Sequence, residues 1–303
     1  MESNEICHVT TTSFHHQLDS SPYPFEAERY WLFTSKLCPF AHRTEIVRAL
    51  LKLTEVIDLT ITGSIQTDKG WDLGERYKLH GSSPCPIEGI TRLPAIYELS
   101  TPGYSGRVSV PVLFDTKSNT IINNESSEII LQLDEIAVRH FDSPTLYPPE
   151  KRGLIDQLIN QIENEFISPI YRAGFAKDQK TYHLNFKRVF IYLNELNQHL
   201  SEAGSYIAGE QLTLVDVYAF SHLSRFDSVY HSLYNLNLKY LSDYPHISAY
   251  MSRLGDIPAF AETLDVEALK EGYFCSWNQP TDGYFIPEGP IVNPRTGIAV
   301  AHQ

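Results

Sequence analysis

LFTSKLCPFAHRTEIVRALLKL, Leu32 to Leu53, joins a strand-like run to a strongly patterned helix through a Cys-Pro pair. Tyr30 to Phe33 are aromatic and apolar, as a buried strand would be. Pro39 suits the first turn of a helix, where its missing N–H costs nothing. Ile46, Val47, Leu50 and Leu53 then fall on one helical face. Cys38 therefore stands at the N-terminus of a helix that follows a strand. Unpaired backbone N–H groups and the positive end of the helix dipole favour a thiolate there, and cysteines so placed can have pKa values of about 3.5–7.5. His42 and Arg43 offer positive charge one turn on. Cys85-Pro86 is a control: the following IEGITRLP brings Gly and Pro too close for a helix, so the same dipeptide lacks the activating context.

The four cysteines, at 7, 38, 85 and 275, are far apart and show no Cys-x-x-Cys spacing. A disulfide scaffold and a zinc site are not expected, and no metal is assigned. Cys7, Cys85 and Cys275 read as buried small hydrophobes or inert surface thiols. A dithiol redox protein would carry a second cysteine three residues after Cys38, but the chain has Ala41. Redox work at Cys38 then needs an external thiol, and in a cytosol glutathione fits that role.

At 303 residues, with 42% hydrophobic content, the chain has room for one large or two ordinary domains. No apolar run approaches the roughly 18 residues of a membrane span. The polar start, MESNEICHVTTTSFHHQ, carries no leader pattern, so a cytoplasmic protein is expected. A net charge of −13 argues against nucleic acid or an anionic membrane as partner.

RVSVPVLFDTKSNTIINNESSEIILQLDEIA, from Arg107, reads as two strands and a helix. Val108 to Phe114 forms the first strand, Asp115 to Asn119 a turn, and Thr120 to Ile122 the second strand; the helix starts near Asn124 to Ser126. Glu125 offers a carboxylate to an ammonium group, while Ser126 and the helix N–H groups suit a carboxylate. The γ-glutamyl end of glutathione needs both. An ordinary N-cap at Asn124 or Ser126 accounts for the same residues. Pro111 inside a strand removes a ladder donor, and a cis peptide before it would leave the Val110 backbone free for a ligand.

These pieces resemble the glutathione transferase superfamily, and most of all its Xi class, the glutathionyl-hydroquinone reductases. Cys38 to Arg43 read CPFAHR against the class motif Cys-Pro-Trp-Ala-His-Arg. Gly70-Trp71, Gly106 to Asp115, Asn123 to Ile129, Tyr171 to Ala176, Arg225 to Asp227, Asp243 to Pro245 and Ile286 to Pro290 match further class segments in order. Three positions depart. Phe40 and Phe114 stand where tryptophan is usual, and the class segment HYYxSH becomes GYFCSW, Gly272 to Trp277.

The resemblance implies a thioredoxin-like α/β domain at 28–142, after an N-terminal extension at 1–27, then an all-helical domain at 149–285 and a C-terminal tail at 286–303. The patterns agree, with short strand signals over 28–125 and helical periodicity from about Pro149. FDSPTLYPPE has the proline content of a connection. Gly81 to Gly106 reads as a large surface loop. Thr213 to Asp216 reads as a capping box variant, and the tail after Gly289 as extended over the surface or mobile.

By resemblance, Cys38 is the nucleophile, Tyr171 and Tyr273 hold the oxygens of an aromatic hydroquinone, and Phe40, Trp71, Val110, Pro111, Glu125 and Ser126 bind glutathione, in a homodimer. A buried tryptophan is more often core than ligand-binding, which leaves Trp71 open. Two other functions share this sequence: a thiol transferase or dehydroascorbate reductase using the same cysteine, and a binding protein of the same fold without turnover.

Overall fold

The computed structural model describes residues 14–73, 83–276 and 285–300. Cys7 and Trp277 lie outside them. The aromatic run at Tyr30 becomes β1 (Tyr30–Thr34), a central strand parallel to β2 (Ile57–Ile61) and antiparallel to β3 (Val112–Asp115). β4 (Thr120–Asn123) completes the order β2-β1-β3-β4. Between them come α1 (Pro39–Leu50) and α2 (Leu93–Ser100), with α3 (Ser126–Phe141) after β4. This is the expected thioredoxin-like α/β arrangement. α1 is an interior helix, packed by α3 on one side and by elements of the helical part on another. It therefore buries polar residues as well as its apolar stripe: Glu45 takes the Lys36 ammonium at 2.7 Å, and Arg48 donates to the Ile57 carbonyl.

Two expectations need correction here. β3 begins at Val112, not Val108, because the preceding backbone bonds to side chains rather than to the sheet. Ser109 N donates to the Tyr97 hydroxyl at 3.2 Å and Ser109 O accepts from it at 2.8 Å. The supposed loop from Gly81 to Gly106 contains α2, which starts on Leu93-Pro94 with proline in its first turn. The peptide before Pro111 is cis, as expected. Residues 14–18 pack along β4 and α3: His16 N donates to Ile122 O, and Leu18 N to the Gln132 side chain, both at 2.9 Å.

The helical part runs through α4 (Arg152–Ile162), a π-turn at Glu163–Ile167, α5 (Ser168–Gly174), α6 (Gln179–Glu202) and α7 (Leu214–Leu223). A second π-turn, Phe226–Tyr230, leads into α8 (His231–Leu233). α9 (Pro245–Gly255), α10 (Pro258–Ala261) and α11 (Val266–Cys275) follow. None of the described helices is long and apolar enough to cross a membrane.

The tail over 285–300 is extended and docked on the surface, the first of the two alternatives the sequence offered. Val292 and Ala299 form a bridge, and Ala299 N donates to Asp227 Oδ2 at 2.8 Å. Gly297, at φ +72°, presses onto the Ser224 carbonyl so closely that a Cβ would sit 1.9 Å from its oxygen. Only glycine meets both demands.

The capping box is present, and Asp216 carries it. Its carboxylate accepts from Thr213 N at 2.8 Å, Ile207 N at 3.1 Å and the Tyr250 hydroxyl at 2.8 Å, all buried. The Thr213 hydroxyl lies 3.4 Å from the same carboxylate. Thr213→Ala should cost about 0.5–2 kcal/mol. Asp216→Ala, which strands three buried donors, should cost about 3 kcal/mol or more. Urea unfolding of both variants checks the order; equal losses would show that the carboxylate is not the hub.

Candidate active site

Cys38 is the N-cap of α1, and its sulfur accepts from Ala41 N at 3.5 Å. Its thiol donates to the Val110 carbonyl at 3.6 Å. That carbonyl can pair only with the protonated form, so it works against ionisation. Burial pushes the Cys38 thiol up, while the Ala41 and Phe40 amides and the charges of Arg225 and Arg107 pull it down; the net direction is upward. Desolvation thus opposes the helix terminus, in the direction opposite to the depressed thiol expected from the sequence.

The expected sources of positive charge are corrected as well. His42 is buried and held well below the usual imidazole range, by burial first and then by Arg225 and Lys36, so it is neutral. Arg43 lies with its guanidinium 3.7 Å from the Tyr218 ring centre and 3.6 Å from Glu163. The buried cation that acts on Cys38 is Arg225, which reaches in from the segment between α7 and the second π-turn. In the sequence Arg225 stands out only within the Arg225 to Asp227 triplet; its 187-residue separation from Cys38 gives no local signal.

The structure brings Tyr171 and Tyr273 together, and Tyr230 joins them. Tyr171 Oη lies 3.4 Å from Tyr230 Oη and 3.4 Å from Tyr273 Oη, and the latter two are 3.3 Å apart. These contacts are long against the usual 2.7–2.8 Å or so for hydroxyl pairs. Three O–H groups thus converge in one loosely bonded triangle. Burial raises all three phenols, so each stays protonated at neutral pH and can donate. A thiolate at Cys38 would raise the Tyr273 phenol further. Tyr230 was missed because it ends a π-turn, whose extra residue rotates it off the helical stripe that sequence periodicity follows.

Phe40 is half-buried, stacked on Tyr171 at 6.4 Å between ring centres and edge-on to His222 at 5.4 Å. His222 is fully buried and neutral, and its Nε2 has no partner. Gly272 lets α11 settle against the Ser64 carbonyl, which a Cβ would approach to 2.7 Å. The departure from histidine at that position is thus fixed by close packing beside Leu37. Phe114 is wholly buried in the sheet against Phe33.

At the start of α3, Glu125 is the N-cap; neither Asn124 nor Ser126 takes that role. Glu125 caps through Oε1 alone, to Ser127 N at 3.5 Å and Ser127 Oγ at 3.2 Å. Ser126 Oγ is buried with no partner, as are Asn124 Oδ1 and Trp71 Nε1. Asn124 Nδ2 donates to the Tyr97 hydroxyl, which donates to Ser109 O, so this helix start is tied to the strand approach that bears Val110. The Val110 amide makes no hydrogen bond among the described residues. Trp71 sits in the core of the α/β part, 4% exposed, its carbonyl accepting from Leu93 N. Orphaned buried polar atoms are costly, and their presence at Ser126 and Asn124 fits a polar ligand there. Among the described residues no group of three or more His, Cys, Asp or Glu side chains could hold a metal ion.

Residues 37–136 match the N-terminal domain of glutathione S-transferase, and residues 179–253 its C-terminal domain. The chain is 33% identical over 281 residues to glutathionyl-hydroquinone reductase PcpF of Sphingobium chlorophenolicum, covering 91% of this chain and 87% of that one. It is similar to the solved glutathione-S-transferase Xi from Phanerochaete chrysosporium, with a TM-score of 0.86 and 32% identity over 92% of this chain and 96% of that one. The glutathione-bound structure of YqjG, a glutathione transferase homolog from Escherichia coli K-12, matches with a TM-score of 0.84 and 31% identity over 93% of this chain and 94% of that one. With a cysteine-capped helix on the α/β part, both domain matches in sequence order and these full-length likenesses, the chain belongs to the glutathione S-transferase family, in company with its Xi class.

Proposed function

We propose that this protein reduces S-glutathionyl-hydroquinones with glutathione, through a mixed disulfide at Cys38. The observation that carries the reading is the pairing of a lone, helix-capping cysteine with three converging phenols. The relatives add weight, one being a named glutathionyl-hydroquinone reductase and another a homolog bound to glutathione. In this reading residues 28–142 hold glutathione and residues 149–285 the aromatic ring. The protein then works as the family's homodimer in the cytoplasm.

Glutathione's γ-glutamyl end is assigned to Glu125 and Ser126, its cysteinyl part to the backbone of Val110 beside Pro111, with Phe40 and Trp71 along the groove. The Cys38 thiolate attacks the glutathione sulfur of the conjugate. The S–S bond forms as the aryl C–S bond breaks; the released electron pair stays with the ring, which takes a proton at that carbon and leaves as free hydroquinone. Tyr171, Tyr230 and Tyr273 donate to the ring oxygens as negative charge builds on them. A second glutathione thiolate then attacks the mixed disulfide, giving oxidised glutathione and restoring Cys38. Two electrons pass from two glutathione sulfurs to one aryl carbon, which balances the cycle.

Cys38→Ser should abolish turnover and Cys85→Ser should leave it nearly intact; full activity in the first variant would sink the proposal. Because burial raises the thiol, thiolate is scarce at neutral pH, so kcat/KM should climb as pH rises through neutrality. A profile already flat at neutral pH would show that the helix terminus and the cations win instead.

Glu125→Ala removes one charge-assisted bond to the glutathione ammonium, a loss of about 1.5–3 kcal/mol. Titration calorimetry should show binding weakened by about tenfold or more. Unchanged affinity refutes the assignment.

Phe40→Trp would present an indole N–H beside the unpartnered His222 Nε2 or to the ligand. One new hydrogen bond corresponds to about a two- to tenfold rise in kcat/KM on a glutathionyl-hydroquinone. No change in steady-state kinetics would mark Phe40 as a packing substitution only.

A further inference from the structure

Buried charges are paired or they are costly. Arg225 is 1% exposed, and its donors go only to neutral acceptors: His42 Nδ1 at 3.0 Å, the Ser221 carbonyl at 2.6 Å and the Lys36 carbonyl at 2.8 Å. Its Nε has no partner. Neighbouring cations have carboxylates of their own, Lys36 with Glu45 and Arg43 with Glu163. Asp227, two residues on, spends its oxygens on the Leu241 and Ala299 amides. No described carboxylate makes an ion pair with Arg225.

We infer that Arg225 is a positioning residue whose missing counter-ion is the Cys38 thiolate. Its two anchor points, Lys36 and His42, bracket Cys38 at two residues before and four after. His42 Nδ1 accepts from Arg225, so its proton sits on Nε2 and is donated to Thr263 Oγ1 at 2.9 Å, which locks a neutral ring between Arg225 and Thr263. The other groups near the guanidinium are His222, which burial keeps neutral, and the phenols of Tyr230 and Tyr273. Arg107 is the second cation acting on Cys38, from the exposed surface. Arg225 therefore holds the turn in place and serves as a resident charge for the anion formed there. The inference rests on the reading of Cys38 as nucleophile, though not on the identity of the substrate.

The test is the pH dependence of Cys38 alkylation by iodoacetamide, followed by peptide mass spectrometry in the full chain without any hydroquinone. A protein inactive on glutathionyl-hydroquinones still answers it, so failure of the two readings is distinguishable. Arg225→Gln should move the profile alkaline by about one pH unit, a roughly tenfold slower reaction near neutrality. Arg225→Lys, which keeps the charge but not the fork, should stay within about half a unit of the parent. A purely structural role would lower Tm in both variants and leave both profiles in place, and that result overturns the inference. Where Arg225→Gln does not fold, Arg225→Met, with an apolar stem of similar length, serves as the neutral variant. A chain that folds only with a cation at 225 is judged on Arg225→Lys alone, and a shift larger than about half a unit there overturns the inference.

Discussion

One guanidinium from the helical part grips the first turn of a helix in the α/β part. Arg225 donates to the Lys36 carbonyl and the His42 ring, and Thr263 closes the other side of that ring. This clamp fixes the α1 N-terminus, and with it the position of the Cys38 sulfur. It also explains why α1 is so thoroughly buried: both parts of the chain pack against it. The tail adds a brace from behind, since Gly297 rests on the carbonyl of Ser224, the residue before Arg225.

The phenol triangle follows from the same constraint. Beyond Arg225 the chain enters a π-turn that ends on Tyr230, and the earlier π-turn leads into α5 and Tyr171. Each π-turn inserts a residue into helical register, and here the two bring Tyr171 and Tyr230 to within 3.4 Å. α11 supplies Tyr273, admitted at close range by Gly272. The candidate site therefore draws on both parts: the sulfur comes from one and the phenol triangle from the other.

Local features were legible in the sequence and long-range electrostatics were not. The strand, Pro39 and the apolar spacing of α1 are local, so the place of Cys38 at a helix N-terminus could be read directly. The capping box at Thr213 and the start of α3 near Ser126 are local too. The sign of the Cys38 shift was not, because burial depends on helices far along the chain. Arg225 and Tyr230 were hidden for the same reason, and the short α2 was masked by the prolines and glycines around it. His42 looked like a charge in the sequence and is a neutral acceptor once its neighbours are in place. Phe114 reads as a lost tryptophan but fills a fully buried slot in the sheet, whereas Phe40 leaves an unpartnered imidazole nitrogen at its edge.

In the proposed cycle the sulfur of Cys38 takes glutathione from the aromatic conjugate. A single-turnover experiment tests it most directly: protein in excess is mixed with a glutathionyl-hydroquinone without free glutathione, and the quenched peptides are weighed by mass spectrometry. One glutathione disulfide should form on the Cys38 peptide for each hydroquinone released. Hydroquinone release with Cys38 left unmodified would contradict it.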